Sequence, residues 1–214
     1  MTKWFCILFL ALLPLSCEES RNQQRSDVRK TFQDFSDAFF AGDSTTAAKY
    51  ISQRTYRYYD RIIPVARNAD EAGLSELPAL DLFTCVALRH RYPPEELRRL
   101  DSRSLVLDSF TRMSFPAGAP HFLDIGTISV ADGGQEARAS VLLPPRQWLE
   151  DVQVTFVREN LVWKMDLTSV FGALATRIEP NLAHESSSRA EMALHHLQMH
   201  ENQSIGRALL SPPD

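Results

Sequence analysis

No apolar run in this chain is long enough to cross a bilayer. The longest, from Trp4 to Leu13, is about half of the ~20 residues a spanning helix needs before Pro14 and the pair Glu18-Glu19 interrupt it. Cysteine is scarce: of three, Cys6 and Cys17 lie at the N-terminus and Cys85 stands alone in the body of the chain, which excludes a disulfide framework. Basic charge is not in excess, with 23 Lys and Arg against 27 Asp and Glu. No basic stripe with interleaved aromatics occurs, which argues against a nucleic-acid partner. Phosphate-binding loops, nucleophile elbows, zinc-protease motifs and dinucleotide fingerprints are all missing, and with them the enzyme classes that announce themselves by motif. Internal repeats and low-complexity tracts are missing too.

What is present begins with an address. In M-T-K-W-F-C-I-L-F-L-A-L-L-P-L-S-C, Lys3 supplies a positive start, Trp4 to Leu13 an apolar core, and Ser16-Cys17 a small residue followed by cysteine. This is the pattern of an export signal. It resembles the signal of bacterial lipoproteins, although Pro14 occupies the place where that pattern has an aliphatic residue. The resemblance implies that residues 1–17 are a signal ending at Cys17, which is acylated and becomes the first mature residue. Two or more acyl chains, at ~0.8 kcal/mol per buried methylene, anchor a protein stably. Glu18 after the cysteine resembles outer-membrane more than inner-membrane delivery. The expected location is therefore the bacterial cell envelope, with the membrane as a partner through the lipid.

Roughly two hundred mature residues suffice for a domain with a real core. After a polar tether at 18–26, Val28, Phe32, Phe35 and Phe39 recur at helical spacing and predict a first helix with three phenylalanines on one face. Gly42 ends it, and Asp43 or Ser44 can cap a second helix through Ala47, Ala48 and Ile51. A third helical stretch carries Tyr56, Tyr58, Tyr59, Ile62 and Ile63 until Pro64 bends or stops it. The stretch 67–73 reads as a polar loop, and helix resumes from Leu77 to about Arg91. Pro93-Pro94 break it, Glu95-Glu96 open another helix that Arg98-Arg99 close, and Asp101 or Ser102 can cap a last short one with Leu105, Val106, Ser109 and Phe110. The clusters Arg89-His90-Arg91 and Arg98-Arg99 read as solvated helix faces. Cys85, in L-F-T-C-V-A-L, reads as a small buried hydrophobe.

The second half changes period. In H-F-L-D-I-G-T-I-S-V-A, A-R-A-S-V-L-L, V-Q-V-T-F-V and L-V-W-K-M-D-L the apolar residues mostly alternate, predicting four strands. Asp132-Gly133-Gly134 links the first two and Arg158-Glu159-Asn160 the last two, while Pro144-Pro145 must lie between strands. Helices first and antiparallel strands afterwards give an α+β fold, with the N-terminal helices packed on a curved antiparallel sheet. A C-terminal helical extension follows. There Ser188-x-x-Glu191 can form a capping box, and Ala190, Ala193, Leu194 and Leu197 share a face that wants a partner surface.

Two segments, F-F-A-G-D ending at Asp43 and V-T-F-V-R-E-N-L-V-W-K-M-D-L from Val154 to Leu167, resemble the superfamily named after nuclear transport factor two, which includes ketosteroid isomerases and polyketide cyclases. The resemblance implies a cone-like domain over 27–176 with a helical insertion near 77–113, followed by a linker and helix over 177–214. It also implies an apolar cavity, in which Trp163 and Met165 would face one side of the last strand and Lys164 and Asp166 the other. Such cavities serve isomerases, dehydratases, cyclases, binding proteins and assembly modules alike, so fold does not select function.

Pocket candidates on this reading are Tyr56, Tyr59, Phe122, Asp124 and Ile128. The tyrosines also read as amphipathic rings at a core edge. Asp124 is the leading catalytic candidate, because alternation puts it on one face with Phe122, Ile128 and Val130, where desolvation would raise a carboxyl pKa; Leu123 and Ile125 hold the other face. His121 and Asp166 rank below it. His196 and His200, one turn apart, could share a metal with Glu191 or His195, but no third ligand is assured and the pair reads as a solvated face. No cofactor is implied. The function expected is a lipid-anchored, non-catalytic binding module for a small apolar ligand or a protein partner. The alternatives are a lyase or isomerase using a carboxylate or histidine, and a structural module whose sheet face or last helix holds a homodimer or an envelope complex.

Overall fold

The computed structural model describes residues 13–112, 124–143, 147–182, 187–201 and 205–213, and shows an α+β protein. The signal segment through residue 12, His121, Phe122 and Pro144-Pro145 lie outside the described residues. Those described fall into two compact units, one drawn from Met1–Ser52 with Ser114–Asp166, the other from Gln53–Met113 with Leu167–Asp214.

The first unit is one long helix on a sheet. Helix α1 (Leu13–Phe40) buries Val28, Phe32, Phe35 and Phe39, with the Phe35 and Phe39 rings stacked at 5.6 Å. Gly42 adopts φ +74°, which a glycine takes without steric penalty, and Asp43 accepts the Thr46 amide at 2.9 Å to start α2 (Ser44–Ala48). Residues 18–26, expected as a polar tether, are helical instead. Arg21 pairs with Asp132 at 2.9 Å, and Gln24 lies so close to Gly134 that a Cβ there would meet it at 2.8 Å. The packing of this segment onto a strand turn, which periodicity cannot register, accounts for the difference.

The sheet is open and curved, with strands β1 (Asp124–Val130), β2 (Glu136–Leu143), β3 (Gln147–Glu159) and β4 (Val162–Asp166) antiparallel in sequence order. Alternation drives it: Ala137, Ala139 and Val141 on β2, and Val152, Val154 and Phe156 on β3, are all buried. Helix α1 packs against β1 and β4, and Ile51 bridges Met165 beside β4. The last hairpin turns on Asn160-Leu161, one residue beyond the expected triplet, because Glu159 pairs with Val162. Both turn residues have positive φ, 50° and 67°, as a type I′ turn requires.

The second unit is helical. Helix α3 (Gln53–Asn68) continues past Pro64, which sits inside it. An interior proline costs about 3 kcal/mol; burial of Ile62, Ile63 and Ala66 on both sides of it offsets that and keeps the helix whole. The expected polar loop at 67–73 is shorter than read, since α3 continues to Asn68 and α4 (Glu71–Ser75) begins soon after, capped by Asp70 on the Gly73 amide. Helices α5 (Ala79–Arg91), α6 (Pro94–Arg99) and α7 (Ser102–Arg112) follow, with Asp101 accepting the Ser104 amide at 2.7 Å. Helix α8 (Leu167–Ile178) follows β4, a 3₁₀ turn (Glu179–Leu182) succeeds it, and α9 (Arg189–Glu201) and a second 3₁₀ turn (Arg207–Leu210) complete the described elements.

The C-terminal segment belongs to this unit's core. Ala190, Ala193, Leu194 and Leu210 are buried in the same cluster as Leu74, Leu82 and Val86. The capping box forms: Glu191 accepts the Ser188 amide at 2.9 Å, and Ser188 accepts the Glu191 amide at 3.2 Å. Arg207 then pairs with Glu71 and Glu191. The apolar face of α9 thus finds its partner surface within its own unit.

Candidate functional site

Helix α5 is apolar on two sides. Leu82, Cys85, Val86 and Arg89 recur at helical spacing and are buried in the core. A second stripe, Leu80, Phe83, Thr84, Ala87, Leu88 and Arg91, follows the same period and lines a groove of about 290 Å³. Tyr59 of α3, Leu105 and Ser109 of α7, and Phe171 and Ala175 of α8 form the remaining walls. Each pair from α7 and α8 is four residues apart, so each helix contributes one face.

The groove is apolar with a few polar groups. Thr84 has its one proton engaged, since its hydroxyl donates to the Leu80 carbonyl at 2.7 Å and shares a hydrogen bond of 2.9 Å with the Tyr58 hydroxyl. Burial pushes the Tyr58 phenol up. The Tyr59 phenol is pushed up to about 12, again by burial, with the nearby Arg91 charge opposing. It is neutral at physiological pH and makes no hydrogen bond to a described residue. Arg91 is exposed, reaches Ser109 Oγ at 3.5 Å and forms no ion pair among the described residues. Among the described residues no carboxylate lines the groove.

Arg89, two residues earlier, is a different case. The sequence reads it as a solvated face, yet it is 5% exposed. Its guanidinium donates to the carbonyls of Ala66, Ala69 and Leu209. The first two are unsatisfied groups at the C-terminal end of α3, where a positive charge is favoured. Arg89 therefore ties the last turn of the chain to α3.

The residues expected to form a pocket are divided between the two units. Tyr59 lines the groove, while Tyr56 is half-buried on α3 and does not. Asp124 and Ile128 lie on β1 of the other unit. A bulge between Ile125 and Ile128 inserts an extra residue opposite β2, which reverses the alternation. Ile125 and Ile128 are consequently both buried, and Asp124 is exposed, its carboxylate accepting the Ile125 amide at 2.7 Å. The shared face of Asp124 and Ile128 is thus undone by one inserted residue. Arg29 of α1 holds the bulge by donating to the Ile125 and Gly126 carbonyls, each at 3.0 Å. Asp166 is buried at the end of β4, paired in register with Thr155. Trp163 and Met165 are buried on β4, and Lys164 is only half-buried.

His196 stands edge-on to Phe83, with ring centroids 6.1 Å apart, and the His200 side chain lies outside what is described. Among the described residues no group of three His, Cys, Asp or Glu side chains could hold a metal ion. Nor is any described helix long and apolar enough to cross a membrane. Cys17 falls within α1.

The sequence reading missed Leu80, Phe83, Ala87, Leu88, Arg91, Leu105, Ser109, Phe171 and Ala175. A signal was available in the doubled apolar stripe of α5, which is more hydrophobic than one buried face requires. Comparison with protein-family models, with curated proteins and with solved structures finds no match for this chain.

Proposed function

We propose that this chain is a non-catalytic binding module for a small apolar ligand, held on the bacterial envelope by a lipid on Cys17. The observation that carries the reading is the groove between α3, α5, α7 and α8. It joins apolar walls from four helices with a small number of polar groups, the composition of a ligand site. Its volume, near 290 Å³, suits a small molecule better than a folded partner. The envelope anchor rests on the signal-like residues 1–17 and the cysteine that ends them.

The binding role is favoured over turnover by the chemistry of the walls. General acid–base catalysis needs a titrating group in reach of the ligand, with a pKa near the working pH. Tyr59 stays protonated far above neutrality, and the leading carboxylate, Asp124, is exposed on a strand.

Native mass spectrometry of the protein, gently extracted from its own membranes, tests the reading. The expected spectrum shows the mass of acyl chains on a chain beginning at Cys17, together with a reproducible further mass from a bound apolar compound. A chain without acyl mass contradicts the anchor, and an acylated chain free of any adduct contradicts the bound ligand.

A further inference from the structure

The groove has a polarity that its apolar walls alone do not require. Its described polar groups with unused capacity can all donate: the Arg91 guanidinium, which only donates, and the Ser109 hydroxyl 3.5 Å from it and the Tyr59 phenol, which donate or accept. The nearby carboxylates are engaged elsewhere. Asp108 accepts from Tyr92 and from Arg112, and Asp81 accepts from Arg61 at 2.9 Å. Arg91 thus makes no close ion pair among the described residues, the nearby Asp108 carboxylate being held by Tyr92 and Arg112, and it stands beside two hydroxyls at a groove whose other walls are mainly leucine, phenylalanine and alanine.

From this charge distribution we infer that the ligand is a single-chain carboxylate amphiphile of the medium-chain fatty-acid class, its alkyl chain against Leu80, Phe83 and Leu105 and its carboxylate on Arg91. The inference rests on the groove being the binding site. A guanidinium presents a planar fork that matches a carboxylate, and Ser109 and Tyr59 can donate to the remaining lone pairs. Space argues for one short chain. Ligand pockets run from about 300 to 1,000 Å³, and a groove of about 290 Å³ sits at the lower end, where a two-chain phospholipid does not fit.

The test is calorimetric titration of the full chain carrying Cys17→Ser, below micelle formation, with decanoate, 1-decanol and decyltrimethylammonium, compounds that share an alkyl length and differ in head charge. Decanoate is expected to bind at least tenfold more tightly than decanol, with the cation weakest. Arg91→Gln should remove the preference and bring decanoate to the level of decanol; Arg91 is exposed and its hydrogen bond to Ser109 is long, so the variant is expected to keep the fold. Ala87→Trp, which fills the groove from α5, should abolish binding of all three. Equal affinity for decanoate and decanol, or an Arg91→Gln variant that still prefers decanoate, overturns the carboxylate assignment while the groove reading stands. Failure of every compound to bind, or binding that survives Ala87→Trp, overturns the groove reading itself.

Discussion

Single residues in the helical unit are set by burial more than by their chemistry. Cys85 is fully buried on α5, and burial pushes its thiol from an ordinary 9.0 to about 12. The unfolded chain releases that proton near pH 9, whereas the folded chain keeps it until about pH 12. The native state therefore binds more protons across this window, and stability falls as pH rises through it; below pH 9 the group contributes no pH dependence. Urea unfolding followed between pH 8 and pH 10 is expected to show stability declining above pH 9, with a shallower decline in Cys85→Ala over the same interval. An identical slope in both proteins would mean that the thiol titrates normally. Arg89 shows the same dominance of context. Its neighbours in R-H-R suggest a wet face, but three carbonyls, each bond to a charged donor contributing about 1.5–3 kcal/mol, hold it inside. Nothing in local spacing announces carbonyls supplied by Ala66 and Leu209, 23 and 120 residues away.

At the scale of elements, the boundaries that local chemistry specifies were legible. Gly42 with Asp43, Asp101, Pro94 with its two glutamates, and Ser188 with Glu191 all mark helix ends where the structure has them. The strands were legible through alternation, and the phenylalanines of α1 through helical period. Features set by a partner element were hidden: α3 continuing past Pro64, the helix over 18–26, and the bulge that turns Asp124 outward. The β3–β4 hairpin illustrates the remaining strain. Leu161 is 81% exposed and adopts φ 67°, so it pays for a left-handed backbone without burying its side chain. Leu161→Gly is expected to raise stability by roughly 0.5–1 kcal/mol in a urea melt, since glycine takes this conformation freely. A loss of stability would show that the turn is held by contacts of the leucine side chain.

Across the whole molecule, each unit is assembled from two separate stretches of chain, so neither can be removed by a single cut. The core of the helical unit needs its last residues: Leu182, Ala190, Leu194 and Leu210 are buried with Ile62 and Leu82. That arrangement explains why the candidate site was only partly readable. Tyr59 was within reach of a local reading, but Phe171 and Ala175 join the groove from beyond the strands, more than a hundred residues later in the chain. A ligand site in the helical unit is the central claim, and it is tested most directly by isotope-filtered nuclear Overhauser measurements on the full chain with decanol, methyl groups labelled. The expected result is contacts from the alkyl protons to the methyls of Leu80, Leu105 and Ala175. Contacts instead to Ile125, Ile128 or Val141 on the sheet, or none at all, would contradict it.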